Sequence, residues 1–225
     1  MFFDPMYFIL VVPTMLLALF AQFRVSSTFK KYSKVMSEKG ISGCETAKAL
    51  LKSNGIDDVE VVMTPGRLSD HYDPVKRVLR LSEEVYNGRS LASIGVAAHE
   101  AGHAIQHKVG YSPLKVRHGL FPIANIGSQL AFPLIFIGML FNALALAKIG
   151  IIFFSGAVIF QIVTLPVEFN ASKRALALIQ SSNIVSSKEA EGAKAVLDSA
   201  AMTYVAGAAA AVMQLLYFIL RTQRR

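Results

Sequence analysis

His99, Glu100 and His103 are the residues whose types and spacing could do chemistry. Four positions is just over one helical turn, so on a helix both imidazoles project from one face. Two neutral imidazole nitrogens placed this way can hold one Zn²⁺, and a third protein ligand would leave one coordination position open for water or substrate. Glu100 is turned by about 100° from His99. From there its carboxylate reaches the attacking water without ligating, takes its proton and passes it to a leaving amine. His-Glu-x-x-His is specific when it falls on a credible helix. The neighbours Ala97, Ala98, Ala101, Gly102 and Ala104 are small, which leaves room for a substrate and for close helix contact. The bland alternative is two core histidines and one surface glutamate brought together by chance.

A third ligand is required. His107 continues the four-residue spacing, but it lies eight residues from His99, about 12 Å along an unbroken helix. Bonds from zinc to nitrogen are about 2 Å, so one ion cannot be shared by both. A third histidine ten positions after the first also fails, because position 109 is Val109 and Gln106 stands where a glycine would be needed. The acidic candidates lie downstream: Glu168, Glu189, Glu191 and Asp198. Glu168 borders a long apolar run, where an unpartnered carboxylate would be costly. The other three lie in a polar segment with solvated neighbours.

The elements that must position these residues follow from capping and periodicity. Ser90 can cap a helix running to about Lys108, which Gly110 and Pro113 close. Upstream, Ser26 to Lys39 reads as a basic helix. Ser42 and Glu45 are spaced as a capping box for a helix ended by Asn54-Gly55. Val59 to Met63 is a short strand. Leu68 to Pro74 is a polar loop or short strand, Val75 to Ser82 is a strand, and Glu83 to Tyr86 is a helical turn.

Composition sets the environment. Of 225 residues 53% are hydrophobic and 17% charged, too little charge for a soluble domain of this size. Four uncharged runs are long enough to cross a bilayer: Pro5–Phe23, Gly119–Ala147, Ile149–Val167 and the Ala-rich Ser199–Leu220. Met1 to Asp4 carries no positive charge, whereas Arg24, Lys30, Lys31 and Lys34 follow the first run. That pattern reads as an uncleaved anchor with its N-terminus outside. The expected organisation is an anchor (1–23), a cytoplasmic-side α+β zinc domain (24–118), a transmembrane hairpin (119–167), a helix with the third ligand followed by a polar helix (168–198), and a last transmembrane helix with a basic tail (199–225). Counting crossings returns Glu168 to the side of His99 and His103, near the cytoplasmic face of a multi-pass cell-membrane protein. Arg221, Arg224 and Arg225 then fall outside, against the positive-inside tendency. The net charge of +8 is not gathered into one arm or stripe, so it suits lipid headgroups rather than nucleic acid. The single Cys44 can form no internal disulfide.

Several segments resemble the YugP-type membrane zinc metallopeptidases of bacteria. They are Phe3-Asp4-Pro5, Asp70-His71-Tyr72-Asp73-Pro74, Leu81-Ser82 to Tyr86, Val96 to His107, and Glu168-Phe169-Asn170-Ala171-Ser172. More distantly the chain is similar to the HtpX-type and prenyl-protein endopeptidases, which share the gluzincin plan of a His-Glu-x-x-His helix with a glutamate ligand on a later helix. The resemblance implies a membrane α-helical protein of about four transmembrane helices with a small gluzincin-like α+β domain. It implies one Zn²⁺ on His99, His103 and Glu168, with Glu100 as general base. Ser172 replaces an aspartate that in the wider group supports a ligating histidine, so that support is expected from Ser172 or Asn170. The plan also implies substrate held as an added strand against Val75–Ser82 or Asp70–Tyr72. His71, His107 or Tyr72 would then donate a hydrogen bond to the developing oxyanion. The expected activity is endoproteolysis of peptides or of membrane-associated proteins. The competing reading, an inactive zinc-binding scaffold or regulator, would need the ligands but not Glu100.

Overall fold

The structure, a computed structural model, describes residues 4–223. Phe3, Arg224 and Arg225, which figure in the sequence reading, lie outside the described residues. Among the described residues seven helices and three strands follow in the order α1 (Pro5–Tyr32), α2 (Gly43–Ser53), β1 (Glu60–Thr64), β2 (His71–Asp73), β3 (Val78–Ser82), α3 (Glu83–Tyr86), α4 (Leu91–Lys108), α5 (Ser112–Leu140), α6 (Leu144–Ser181) and α7 (Ser187–Gln223). α1, α5, α6 and α7 are each long and apolar enough to cross a membrane. The protein is therefore an α-helical membrane protein with a small α+β region.

The chain forms two compact units. One comprises residues up to Gln22, Ser112–Pro166 and Thr203 onward; the other comprises Phe23–Tyr111 and Val167–Met202. In the first unit Val11, Ile135, Phe154, Tyr217 and Phe218 form a buried cluster, and Phe132, Phe154 and Phe218 meet edge to face. α5 and α6 approach closely at Gly150, where an added Cβ would stand 2.9 Å from the Ala131 carbonyl. Small residues at such crossings are what membrane helix packing requires.

The second unit holds the sheet. β3 is its centre, paired parallel with β1 and antiparallel with β2. Leu79, Leu81, Val85, Ile94 and Ile179 are wholly buried in the core beneath it. Its helix ends are capped as the spacing predicts. Ser42 and Glu45 make the reciprocal capping box on α2, and the Ser90 side chain accepts from the Ser93 amide at the start of α4.

Three expectations are corrected. The strand predicted over Val75–Ser82 starts only at Val78, because Asp73 Oδ1 accepts the amides of Val75 and Lys76 and turns the chain. Being paired on both sides, β3 offers no edge; of the two proposed strands only the one containing His71 and Tyr72 does. The basic helix expected over Ser26–Lys39 is not separate, since α1 continues to Tyr32. Beyond it Val35 and Ser37 bond the backbone at Leu91 and Arg89, which holds the segment extended. Finally, the polar helix and the last apolar run are one continuous helix, α7.

Candidate metal centre

α4 carries both histidines on one face, and its packing against α6 brings the glutamate to them. The approach depends on Gly102, where a Cβ would stand 2.9 Å from the Ala171 carbonyl. With hydrogen there the two backbones come together. His99 Nε2 and His103 Nε2 are 3.1 Å apart. Glu168 Oε2 lies 3.2 Å from the first and 3.5 Å from the second. Glu168 is 2% exposed.

This donor set fits a zinc ion. Ligand bonds of about 2.0–2.1 Å in tetrahedral geometry put neighbouring donor atoms about 3.3–3.4 Å apart. The three observed separations bracket that value. Two imidazoles and a carboxylate are also the donor chemistry that zinc takes at catalytic sites. Among the described residues these three form the only group of side chains close enough to share a metal. All three belong to the same compact unit.

The other acidic candidates are engaged elsewhere. Glu189 accepts the amides of Glu38 and Ser186, so it ties the start of α7 to the segment after α1. Asp198 pairs with Lys194. Glu191 is exposed. Glu100 is buried beside the cluster's helix face and makes no hydrogen bond among the described residues, which leaves its carboxylate oxygens available to a water.

The histidines are held from behind. Ser172 Oγ is 3.1 Å from His99 Nδ1, which turns Nε2 towards Glu168. His103 Nδ1 is 3.0 Å from Gln106 Oε1. Gln106, wholly buried, donates through Nε2 to the Val167 carbonyl at 2.8 Å and to Asn170 Oδ1 at 3.0 Å. In the sequence Gln106 figures only as the occupant of a glycine position. Its place three residues after His103, on the same helix face, was the available signal. Burial alone would push the His103 imidazole down. The hydrogen bond to Glu168 and the charges of Glu100 and Glu168 outweigh it and hold the group above its ordinary value.

The sequence-predicted oxyanion donors separate. His71 is exposed on β2, with Nδ1 2.8 Å from the Ser69 carbonyl. His107 lies one turn beyond His103 on α4, and its Nδ1 is 2.9 Å from the Tyr72 hydroxyl and 3.3 Å from Arg77 Nη1. Arginine only donates. Nδ1 therefore accepts, and the neutral ring carries its proton on Nε2. Burial and the Arg77 charge hold His107 below its ordinary value, while burial holds the Tyr72 phenol above its own. Arg77 is itself ion-paired with Asp58, Nε to Oδ2 at 3.0 Å.

Comparison with known proteins agrees with this geometry. The family described as "Putative neutral zinc metallopeptidase" matches residues 7–223. "Putative membrane protease YugP" of Bacillus subtilis (strain 168) is 49% identical over 216 residues, which cover 96% of each chain. No solved structure matches. A family match over nearly the whole chain and a relative of this identity lead to one conclusion: the chain belongs to the neutral zinc metallopeptidase family.

Proposed function

We propose that the protein is a zinc-dependent endopeptidase that cleaves protein segments presented at the membrane surface. The carrying observation is the convergence of His99, His103 and Glu168 within ligand spacing, with Glu100 adjacent and unbonded. A zinc ion on those three residues would supply Lewis acidity and an acidified water at neutral pH. Glu100 takes the proton of the attacking water on its carboxylate and returns it to the amine nitrogen of the leaving segment. His107 is the better oxyanion donor of the two histidines, through Nε2–H, because Tyr72 and Arg77 fix its orientation. His71 spends its Nδ1 on a local turn.

The substrate pairs as an added strand along β2. β3 covers one side of β2, and strand addition binds through main-chain hydrogen bonds with little demand on side chains. The centre faces the cytoplasm. The basic residues Arg24, Lys30, Lys31 and Lys34 follow the first apolar run, as the positive-inside rule asks of a cytoplasmic flank. The unbonded Glu100 favours an enzyme over a scaffold, which has no use for a base.

The test is Glu100→Gln in detergent-purified full-length protein with casein and membrane-protein substrates. Zinc content should be unchanged and cleavage should fall by about 10²- to 10⁴-fold, the usual contribution of a general base. Undiminished cleavage by the variant contradicts the role of Glu100. No cleavage by the wild type over a broad panel favours the scaffold.

A further inference from the structure

We infer that Gln106 is a positioning residue of the metal centre, fixing which nitrogen of His103 is offered to the metal and taking its own direction from Arg174 through Asn170. The inference rests on the zinc reading above and adds to it the device that prepares one ligand.

The direction of the hydrogen bonds is unambiguous because both ends of the network are one-way groups. Arg174 only donates, and its Nε is 2.8 Å from Asn170 Oδ1. Asn170 must therefore present its oxygen there, not its amide. The same oxygen is 3.0 Å from Gln106 Nε2. The Val167 carbonyl, which only accepts, is 2.8 Å from that nitrogen. Rotating the Gln106 amide by half a turn would set oxygen against two acceptors. Gln106 Oε1 is thus held towards His103 Nδ1 at 3.0 Å, and it can only accept. His103 then carries its proton on Nδ1, and Nε2, 3.5 Å from Glu168 Oε2, keeps its lone pair for the ion.

His99 has no such device. Its partner is the Ser172 hydroxyl, which can donate or accept and so imposes no tautomer. A serine stands behind His99, and the directional restraint lies on the other ligand. Gln106 also bonds the carbonyl of Val167, the residue before Glu168. One buried side chain therefore orients a ligand on α4 and registers the segment of α6 that carries the third. Partners behind metal-bound histidines commonly contribute about 10- to 100-fold to metal affinity.

The test measures zinc affinity of the full chain in detergent by competition with a chromophoric chelator. Gln106→Met keeps the volume and removes all three bonds. It should weaken zinc by about 10- to 100-fold and more than Ser172→Ala does. Its cleavage rate should return towards that of the wild type at saturating zinc, because the relay touches no substrate; a merely structural defect would not be rescued by metal. Zinc affinity of Gln106→Met equal to the wild type overturns the inference while leaving the peptidase reading intact. If Gln106→Met does not fold, Asn170→Leu decides: weakened zinc binding supports the relay, and unchanged binding overturns it. A wild type that binds no zinc overturns the peptidase reading, and the relay falls with it.

Discussion

Around the candidate centre, residues divide into groups that would touch the ion and groups that orient them. Glu168 is nearly inaccessible and its Oε2 lies 3.2 and 3.5 Å from the two histidine Nε2 atoms, so removing it leaves an incomplete ligand set. Glu168→Ala should lose zinc to a chelator that the wild type withstands, measured by metal content after dialysis; full retention would remove Glu168 from the ligand set. His107 gives a prediction in pH. Its value is held below the ordinary 6.5 by burial and by Arg77. A depressed histidine contributes stability above its unfolded value, lost as pH falls through the folded value. The Tyr72–His107–Arg77 contact should thus persist at pH 6.5 and give way only below it. An NMR titration of the His107 ring, assigned with His107→Gln, should show a midpoint under 6.5. A midpoint above it would contradict the arrangement. That His99 and His103 share one face was legible from spacing alone, because a helix period is a local rule. Gln106 and Arg174 were not, since their roles depend on which carbonyl and which amide a distant helix brings near.

Local signals marked elements well where caps and alternation acted alone. Ser42 with Glu45, and Ser90, start α2 and α4, and β1 begins within one residue of the predicted Val59. The strand expected over Val75–Ser82 is shorter, Val78–Ser82, because alternation does not register the turn made by Asp73. Nor could it reveal sheet order, and so which strand lies at the edge, because pairing is a tertiary choice. The break expected between residues 198 and 199 is absent. Asp198 and Ser199 sit within α7, where a change from polar to apolar composition needs no change of backbone. The element contact that matters most is α4 on α6 at Gly102. Gly102→Val would push branched carbons against the Ala171 carbonyl, an overpacking that costs about 1–3 kcal/mol. Thermal unfolding of the variant in detergent should come at lower temperature, with lower zinc occupancy. Wild-type stability and zinc content together would show that the helices can part without harm.

Among the described residues the candidate spans number four, so complete crossing by each returns the end of α7 to the side where α1 starts. The first unit agrees by itself. Asp4, at the start of α1, is 3.4 Å from Arg221 near the end of α7 and accepts from the Tyr217 hydroxyl at 3.3 Å. With the centre on the cytoplasmic side, Ala143→Cys in the α5–α6 turn should react with an impermeant thiol reagent in intact cells. Ser182→Cys, between α6 and α7, should react only after permeabilisation, and the reverse pattern would invert the orientation. Composition gave the class of the molecule readily, because the bilayer demands long uncharged helices. It could not give the pairing of chain ends, which rests on one carboxylate meeting residues over two hundred positions away. The proposed peptidase stands or falls with one zinc ion on His99, His103 and Glu168. X-ray absorption at the zinc edge of the purified full-length protein tests it most directly. The protein should hold one zinc per chain with nitrogen and oxygen neighbours at about 2.0–2.2 Å, including the outer-shell pattern of two imidazoles. A sulfur neighbour at about 2.3 Å, or a protein that carries no zinc, would contradict it.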